Sequence, residues 1–82
     1  MVSHLDEFRR YTADLASSAR YVTYLHDIER VSGMVISPQT LRSAADIERF
    51  AAKLHGYSDK SVRNYESVMR KYVSMVWDLK LQ

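Results

Sequence analysis

The side chains best suited to chemistry in this chain are basic and hydroxyl groups near its C-terminal end. Lysine, arginine and serine recur at intervals of three and four in the segment KSVRNYESVMRK, residues 60–71. Residues at these intervals share one face of a helix. The face carries Lys60, Arg63, Ser67 and Arg70, with Lys71 at its flank. Such donors can hold phosphates, and arginine can also read guanine edges in the major groove of DNA.

The charge distribution points to the same segment. The chain has 12 basic and 10 acidic residues, for a formal net charge of +2. Residues 1–57 hold seven of each sign, whereas residues 58–82 hold five basic and three acidic residues. The surplus therefore lies entirely in the last segment and favours an anionic partner, although an ordinary solvated helix face would also be charged.

No other group of residues has the spacing of a reactive site. Three histidines, His4, His26 and His55, stand too far apart to form a helical metal pair, and the chain has no cysteine. The two glycines are Gly33 and Gly56, so no glycine-rich phosphate loop exists. We therefore predict no catalytic site, no metal, no cofactor and no small-molecule substrate.

The composition indicates the elements that must position the basic face. Eighty-two residues, 46% of them hydrophobic, suit one globular domain over residues 1–82. Two glycines and one proline are too few for the turns of a β-protein. We predict an all-α fold, a compact bundle of four to five helices. Apolar periodicity places helices at about 3–15, 18–32, 44–55 and 59–79, with one helical turn at about 38–42.

Capping residues support these boundaries. The expected N-terminal caps are Ser3, Ser17 or Ser18, Ser37 before Pro38, Ser43 in a capping box with Asp46, and Ser58. The glycines at 33 and 56 are expected to end helices.

The apolar stripes predict the core. Phe50 and Leu54 should pack against α-helical neighbours on two sides, Leu25 and Ile28 on one and Tyr65 and Met69 on the other. Trp77 lies outside the stripe of its own helix, so we expect it either beneath the first helix or facing a neighbouring domain.

Three segments resemble the N-terminal core-binding domain of tyrosine recombinases and phage integrases. Residues 18–28, SARYVTYLHDI, are similar to its opening helix, and residues 40–50 to its segment of threonine, Asp-Ile and an aromatic residue. Residues 58–72, SDKSVRNYESVMRKY, are similar to its last helix. The resemblance covers about residues 5–78 and implies a SAM-like helical domain that clamps duplex DNA beside a separate catalytic domain.

The resemblance also implies which side chains face DNA. They are Lys60, Arg63, Ser67 and Arg70 on the last helix, and Arg20 and Thr23 on the second. Two features depart from the family. The catalytic domain is absent from this sequence, so none of the six tyrosines is assigned as its nucleophile. Asp27 and Glu29 make the second helix less basic than a groove-facing helix should be.

The expected partner is duplex DNA, with an adjacent catalytic domain or a recombinase as a second partner. Three parentages remain open: a domain of a longer integrase, a stand-alone remnant that binds DNA or blocks a recombinase, or a module of another DNA-processing protein, such as a restriction enzyme's targeting domain.

The rival function is a helical protein–protein interaction module, including a stand-alone inhibitor or regulator of DNA-processing machinery, with no direct DNA binding. It would present an exposed apolar patch, which residues 34–36 with Trp77 and Leu79 can supply. The N-terminal residues lack the features of a signal peptide, and no apolar run reaches 18 residues. We therefore expect a cytoplasmic protein without a membrane partner.

Overall fold

The longest helix organises the architecture. A computed structural model describes all 82 residues and contains four α-helices and no strand. The helices are α1 (Leu5–Tyr11), α2 (Ser18–Ser32), α3 (Ala44–Ala51) and α4 (Asp59–Asp78). The first three helices all pack against α4. The predicted all-α bundle is confirmed, with four helices.

Helix α4 supplies the largest share of the core because apolar residues fall on one face along its length. Its buried residues are Tyr65, Val68, Met69, Tyr72, Met75 and Val76. From spacing alone, the sequence predicts a buried stripe of Val62, Tyr65, Val68, Met69, Tyr72, Val73 and Val76. The structure adds Met75, which is fully buried, and leaves Val62 and Val73 only half-buried. The helix begins one residue after Ser58, whose hydroxyl accepts a hydrogen bond from the Ser61 N–H, so the predicted cap is confirmed.

Helix α2 has the predicted bounds, but its start is built differently. Neither Ser17 nor Ser18 caps it through its side chain. The Ser18 hydroxyl instead lies 2.9 Å from Thr12 Oγ1, which donates to the Phe8 carbonyl. The cap prediction was wrong because the Ser18 hydroxyl is hydrogen-bonded to Thr12, at the end of α1. Gly33 ends the helix as predicted, with φ of 71°.

Helix α1 is shorter than its apolar pattern predicts. It is preceded by His4 with φ of 59°, and Ser3 is not the cap. The Ser3 backbone is used elsewhere: its N–H donates to the Ile36 carbonyl, and its carbonyl accepts from the Tyr72 hydroxyl at 2.8 Å. After Thr12 the chain turns so that α2 packs back on α1, and the helix therefore cannot continue to residue 15.

The connector between α2 and α3 is held from inside. Ile36 and Leu41 are fully buried, although neither was predicted in the core. The expected single turn is present, with the Leu41 N–H donating to the Ser37 carbonyl at 2.9 Å. The Ser37 hydroxyl accepts from the N–H groups of Gln39 and Thr40, as an N-cap does.

A reciprocal cap begins α3. The Ser43 hydroxyl accepts from the Asp46 N–H at 3.3 Å, while the Asp46 carboxylate accepts from the Arg42 N–H at 2.9 Å. The capping box is confirmed, with its return bond one residue earlier than the usual one. Arg49 also donates to the Asp46 carboxylate.

Helix α3 ends four residues before the predicted boundary. The N–H of Leu54 donates to the Ala51 carbonyl, three residues back, in a tight turn that brings Leu54 into the core. Gly56, with φ of 86°, therefore serves the following loop and does not end the helix.

The predicted core residues lie together in one cluster. Phe50, Leu54, Leu25, Ile28, Tyr65 and Met69 all belong to a single group of 16 buried hydrophobic residues. None of the four helices combines the length and apolar character that a membrane span requires.

Trp77 does not lie beneath α1. Its side chain is 59% exposed, and its Nε1 donates to the Arg42 carbonyl at 2.6 Å. The Arg42 guanidinium lies 4.9 Å from the centre of the indole ring. The contact between α1 and the end of α4 is made by Tyr11, whose hydroxyl donates to Asp78. Trp77 thus links α4 to the connector between α2 and α3 through its contacts with Arg42.

Candidate nucleic-acid interface

Because the apolar face of α4 is packed in the core, its basic face is turned outward. Lys60, Arg63, Arg70 and Lys71 are all exposed. The rise of 1.5 Å per residue separates the Cα atoms of Lys60 and Arg70 by about 15 Å along the helix. The structure therefore presents four cations along the exposed face of one helix.

These cations are free of ion pairs. The arginine–carboxylate pairs of the protein lie elsewhere, Arg9 with Asp6, Arg30 with Asp27 and Arg49 with Asp46. On α4, Glu66 is three residues from Arg63 and four from Arg70, positions that often pair, yet neither comes within 4.0 Å of it. The positive charge of this face is therefore not cancelled by close partners.

Ser67 and Arg70 act together on this face. The Arg70 guanidinium donates to the Ser67 hydroxyl oxygen at 3.0 Å. Since the oxygen is the acceptor in that bond, the hydroxyl proton stays available for another acceptor. The serine can thus accept from arginine and donate outward at the same time.

A groove between α2 and α4 brings residues of both helices together. This α2–α4 groove has a volume of about 240 Å³ and is lined by Ser17, Arg20, Tyr21, Tyr24, Asn64 and Ser67. Both Arg20 and Ser67 line this groove. The sequence assigned them to one interface, although they lie on two different helices. Asn64 was missed because it carries no charge, although it stands three residues before Ser67 and hence on the same helix face.

Thr23 does not reach this groove. Its side chain is exposed, and its hydroxyl donates to the Ala19 carbonyl at 3.3 Å, within α2. The proton that a phosphate contact needs is therefore used inside the helix. Lys60, Arg63 and Lys71 line no groove and belong to the open face of α4.

The opposite flank of α4 has a different electrostatic character. A cleft of about 410 Å³ separates α3 from α4, with Ala44, Ile47, Glu48, Glu66, Arg70, Val73 and Ser74 along its walls. Two carboxylates, Glu48 and Glu66, lie beside its apolar residues. Arg70 borders this cleft and so marks the edge of the basic face.

Three of the six tyrosines are held in the neutral phenol form. Burial raises the pKa of Tyr65 to about 12, and the neighbouring Tyr57 hydroxyl adds to the effect. Burial also raises the pKa of Tyr72, and the hydrogen bond to Asp78 raises that of Tyr11. Each shift disfavours the phenolate that attacks phosphorus. No three His, Asp or Glu side chains converge as a metal-binding group.

The apolar patch expected of a protein-interaction module is only partly at the surface. Ile36 is fully buried and Met34 packs against the core, so Val35 is the exposed member of that run. Trp77 and Leu79 are exposed at the end of α4. The segment 34–36 is thus used mainly to hold the connector to the core.

Comparisons with known proteins add no neighbour to this site. The chain matches no protein-family model, no curated protein and no solved structure. The resemblance to the core-binding domain of tyrosine recombinases accordingly stays a prediction from the sequence.

Proposed function

We propose that this chain is a DNA-binding domain that holds duplex DNA against the exposed face of α4 and the first half of α2. One observation carries the proposal: the four cations of α4 are all exposed, and none is in an ion pair. A surface cation without an ion pair gains most from a phosphate, because it gives up no internal carboxylate when it binds.

The dimensions of α4 suit a duplex. DNA carries about one negative charge per 1.7 Å of its axis, so the ~15 Å between Lys60 and Arg70 faces several phosphates. Together with Arg20 and Lys71, the face offers about three to five phosphate contacts. At about 0.9 counterion released per contact, log K should fall with log salt at a slope of about −3 to −4.

The proposed role is binding without catalysis. A domain of this kind would position DNA for a separate catalytic domain or a recombinase, as the resemblance to core-binding domains implies. Binding on its own should be non-specific, with a Kd of about 10⁻⁴–10⁻⁶ M near physiological salt. A role on cellular DNA agrees with the cytoplasmic location expected from the sequence.

A fluorescence titration with labelled duplex at several salt concentrations tests the proposal. The double variant Arg63→Ala, Arg70→Ala should lose about two units of the salt slope while remaining folded, since both side chains are exposed. The matched control is Arg9→Ala, Arg30→Ala, which removes the same charge from two arginines that are already paired on α1 and α2. A general effect of net charge would weaken both variants equally.

Two results would contradict DNA binding by this face. The first is no binding of the wild-type protein at 50 mM salt, a concentration at which phosphate contacts are strong. The second is equal binding by the wild type and the Arg63, Arg70 variant. In either case the helical protein–protein interaction module becomes the leading function.

A further inference from the structure

The α2–α4 groove differs from the other surface depressions in having no carboxylate on its walls. Glu48 and Glu66 line the α3–α4 cleft, and Glu29 lines the depression at the end of α2. The α2–α4 groove is lined only by a guanidinium, a carboxamide, hydroxyl groups and tyrosine rings. An anion entering it meets hydrogen-bond donors and no negative charge.

The donors of the groove are not engaged within the protein. Arg20 makes no ion pair, and no side-chain hydrogen bond involves Arg20 or Asn64. Ser67 accepts from Arg70 and keeps its own proton for another acceptor. Three donor groups of different chemistry therefore border one space without competing partners.

The wall of the groove is fixed by the core. The Tyr24 ring packs edge-to-face on Tyr65, with 5.0 Å between ring centres, and the Tyr57 ring also packs edge-to-face on Tyr65, at 5.2 Å. Tyr65 is buried. Because α2 and α4 are joined through this cluster, Arg20 on one helix keeps its position relative to Asn64 on the other.

We propose that the α2–α4 groove seats one backbone phosphate of bound DNA, with Arg20, Asn64 and Ser67 as its donors. This inference rests on the proposed DNA binding and adds a defined contact point to an otherwise open basic face. The guanidinium can grip two phosphate oxygens at once, while the amide and the hydroxyl each donate a single hydrogen bond. A phosphate contact fixes the orientation of the protein on the duplex without reading sequence.

Asn64→Ala is the discriminating variant because it removes a donor without changing charge. Alanine favours a helix more than asparagine does, so α4 should remain intact. The matched control is Gln39→Ala, which removes an exposed carboxamide from the connector, away from every groove. Both variants and the wild type are titrated with A·T-only and G·C-only labelled duplexes, each over a range of salt concentrations.

The phosphate seat predicts that Asn64→Ala binds both duplexes about 10-fold more weakly than the wild type, as loss of a hydrogen bond to a charged group does. The salt slope should not change, and Gln39→Ala should bind like the wild type. Wild-type affinity of Asn64→Ala would overturn the seat while leaving DNA binding intact. Loss on only one duplex would show that Asn64 reads bases, and would also overturn it. Absence of wild-type binding would overturn both proposals.

Discussion

Removal of the Asp46 carboxylate should lower the free energy of unfolding more than most substitutions near the protein surface do. The side chain is only 13% exposed and accepts hydrogen bonds from the Arg42 N–H and the Arg49 guanidinium. Asp46→Ala leaves the Arg42 N–H without its acceptor, at a cost of about 1 kcal/mol for a lost cap. Loss of the ion pair with Arg49 adds about 0.2–1 kcal/mol, and loss of a negative charge at the start of α3 adds a similar amount. The total is about 2 kcal/mol.

The size of this effect should depend on pH. Burial raises the pKa of Asp46, but the hydrogen bonds from the Arg42 N–H and from Arg49 outweigh it, so the pKa lies below its ordinary value of 3.8. A carboxylate with a lowered pKa in the folded state stabilises that state above the pKa of the unfolded chain. The contribution is lost as pH falls through the folded pKa. The deficit of the variant should therefore be complete at pH 7 and shrink below about pH 4.

Thermal unfolding followed by circular dichroism measures this deficit. For a domain of this size, about 2 kcal/mol corresponds to a lowering of Tm by about 8–16 °C at pH 7. Asp14→Ala is the matched control, because Asp14 is exposed and accepts no side-chain hydrogen bond. Equal Tm values for Asp46→Ala and Asp14→Ala at pH 7 would contradict the stabilising role of the Asp46 carboxylate. A deficit of Asp46→Ala as large at pH 3 as at pH 7 would contradict it as well.

Two further outcomes are expected. Leu25→Ala removes a fully buried side chain from the core between α2 and α4, at a cost of about 2–5 kcal/mol against a total stability of about 5 kcal/mol. It should be largely unfolded near 37 °C by circular dichroism, and an unchanged Tm would contradict its place in the core. The chain alone should cleave no DNA strand and form no covalent adduct with DNA, because the sequence contains no nucleophile–base set and Tyr11, Tyr65 and Tyr72 are held as neutral phenols. A protein–DNA band that survives denaturation and disappears with one Tyr→Phe substitution would show the opposite.

The helices that the sequence predicts best are those whose apolar stripe and end signals agree. The bounds of α2 follow from its stripe and Gly33, and those of α4 follow from Ser58 and a stripe whose buried residues run from Tyr65 to Val76. The ends of α1 and α3 depend on tertiary packing instead. Thr12 and Leu54 are buried on non-helical backbone just after these helices end. Their spacing is the same as that of one more helical turn, so periodicity cannot distinguish the two cases.

The connector and the site show the same limit. Ile36 and Leu41 are buried, but they lie in a segment whose apolar residues follow neither helical nor strand periodicity. The sequence pattern therefore could not predict their burial. The exposure of Arg63 and Arg70 follows from the stripe on the other side of α4, and could be predicted. The sequence could not predict that Arg20 and Asn64 line the same groove. Their proximity depends on the register between two packed helices, which the sequence of either helix alone does not specify.

The central position of α4 has a consequence for how the chain is made. Six of the 16 core residues come from this helix, and each other helix packs against it. A nascent chain that has not yet reached residue 59 can therefore close no core, since its three helices lack their common support. At about 5–20 residues per second, synthesis of the 20 residues of α4 takes about 1–4 s, and folding must wait for it. The core and the exposed basic face of α4 are thus completed together, late in synthesis, and a ribosome that stalls within α4 holds a chain in which neither is complete.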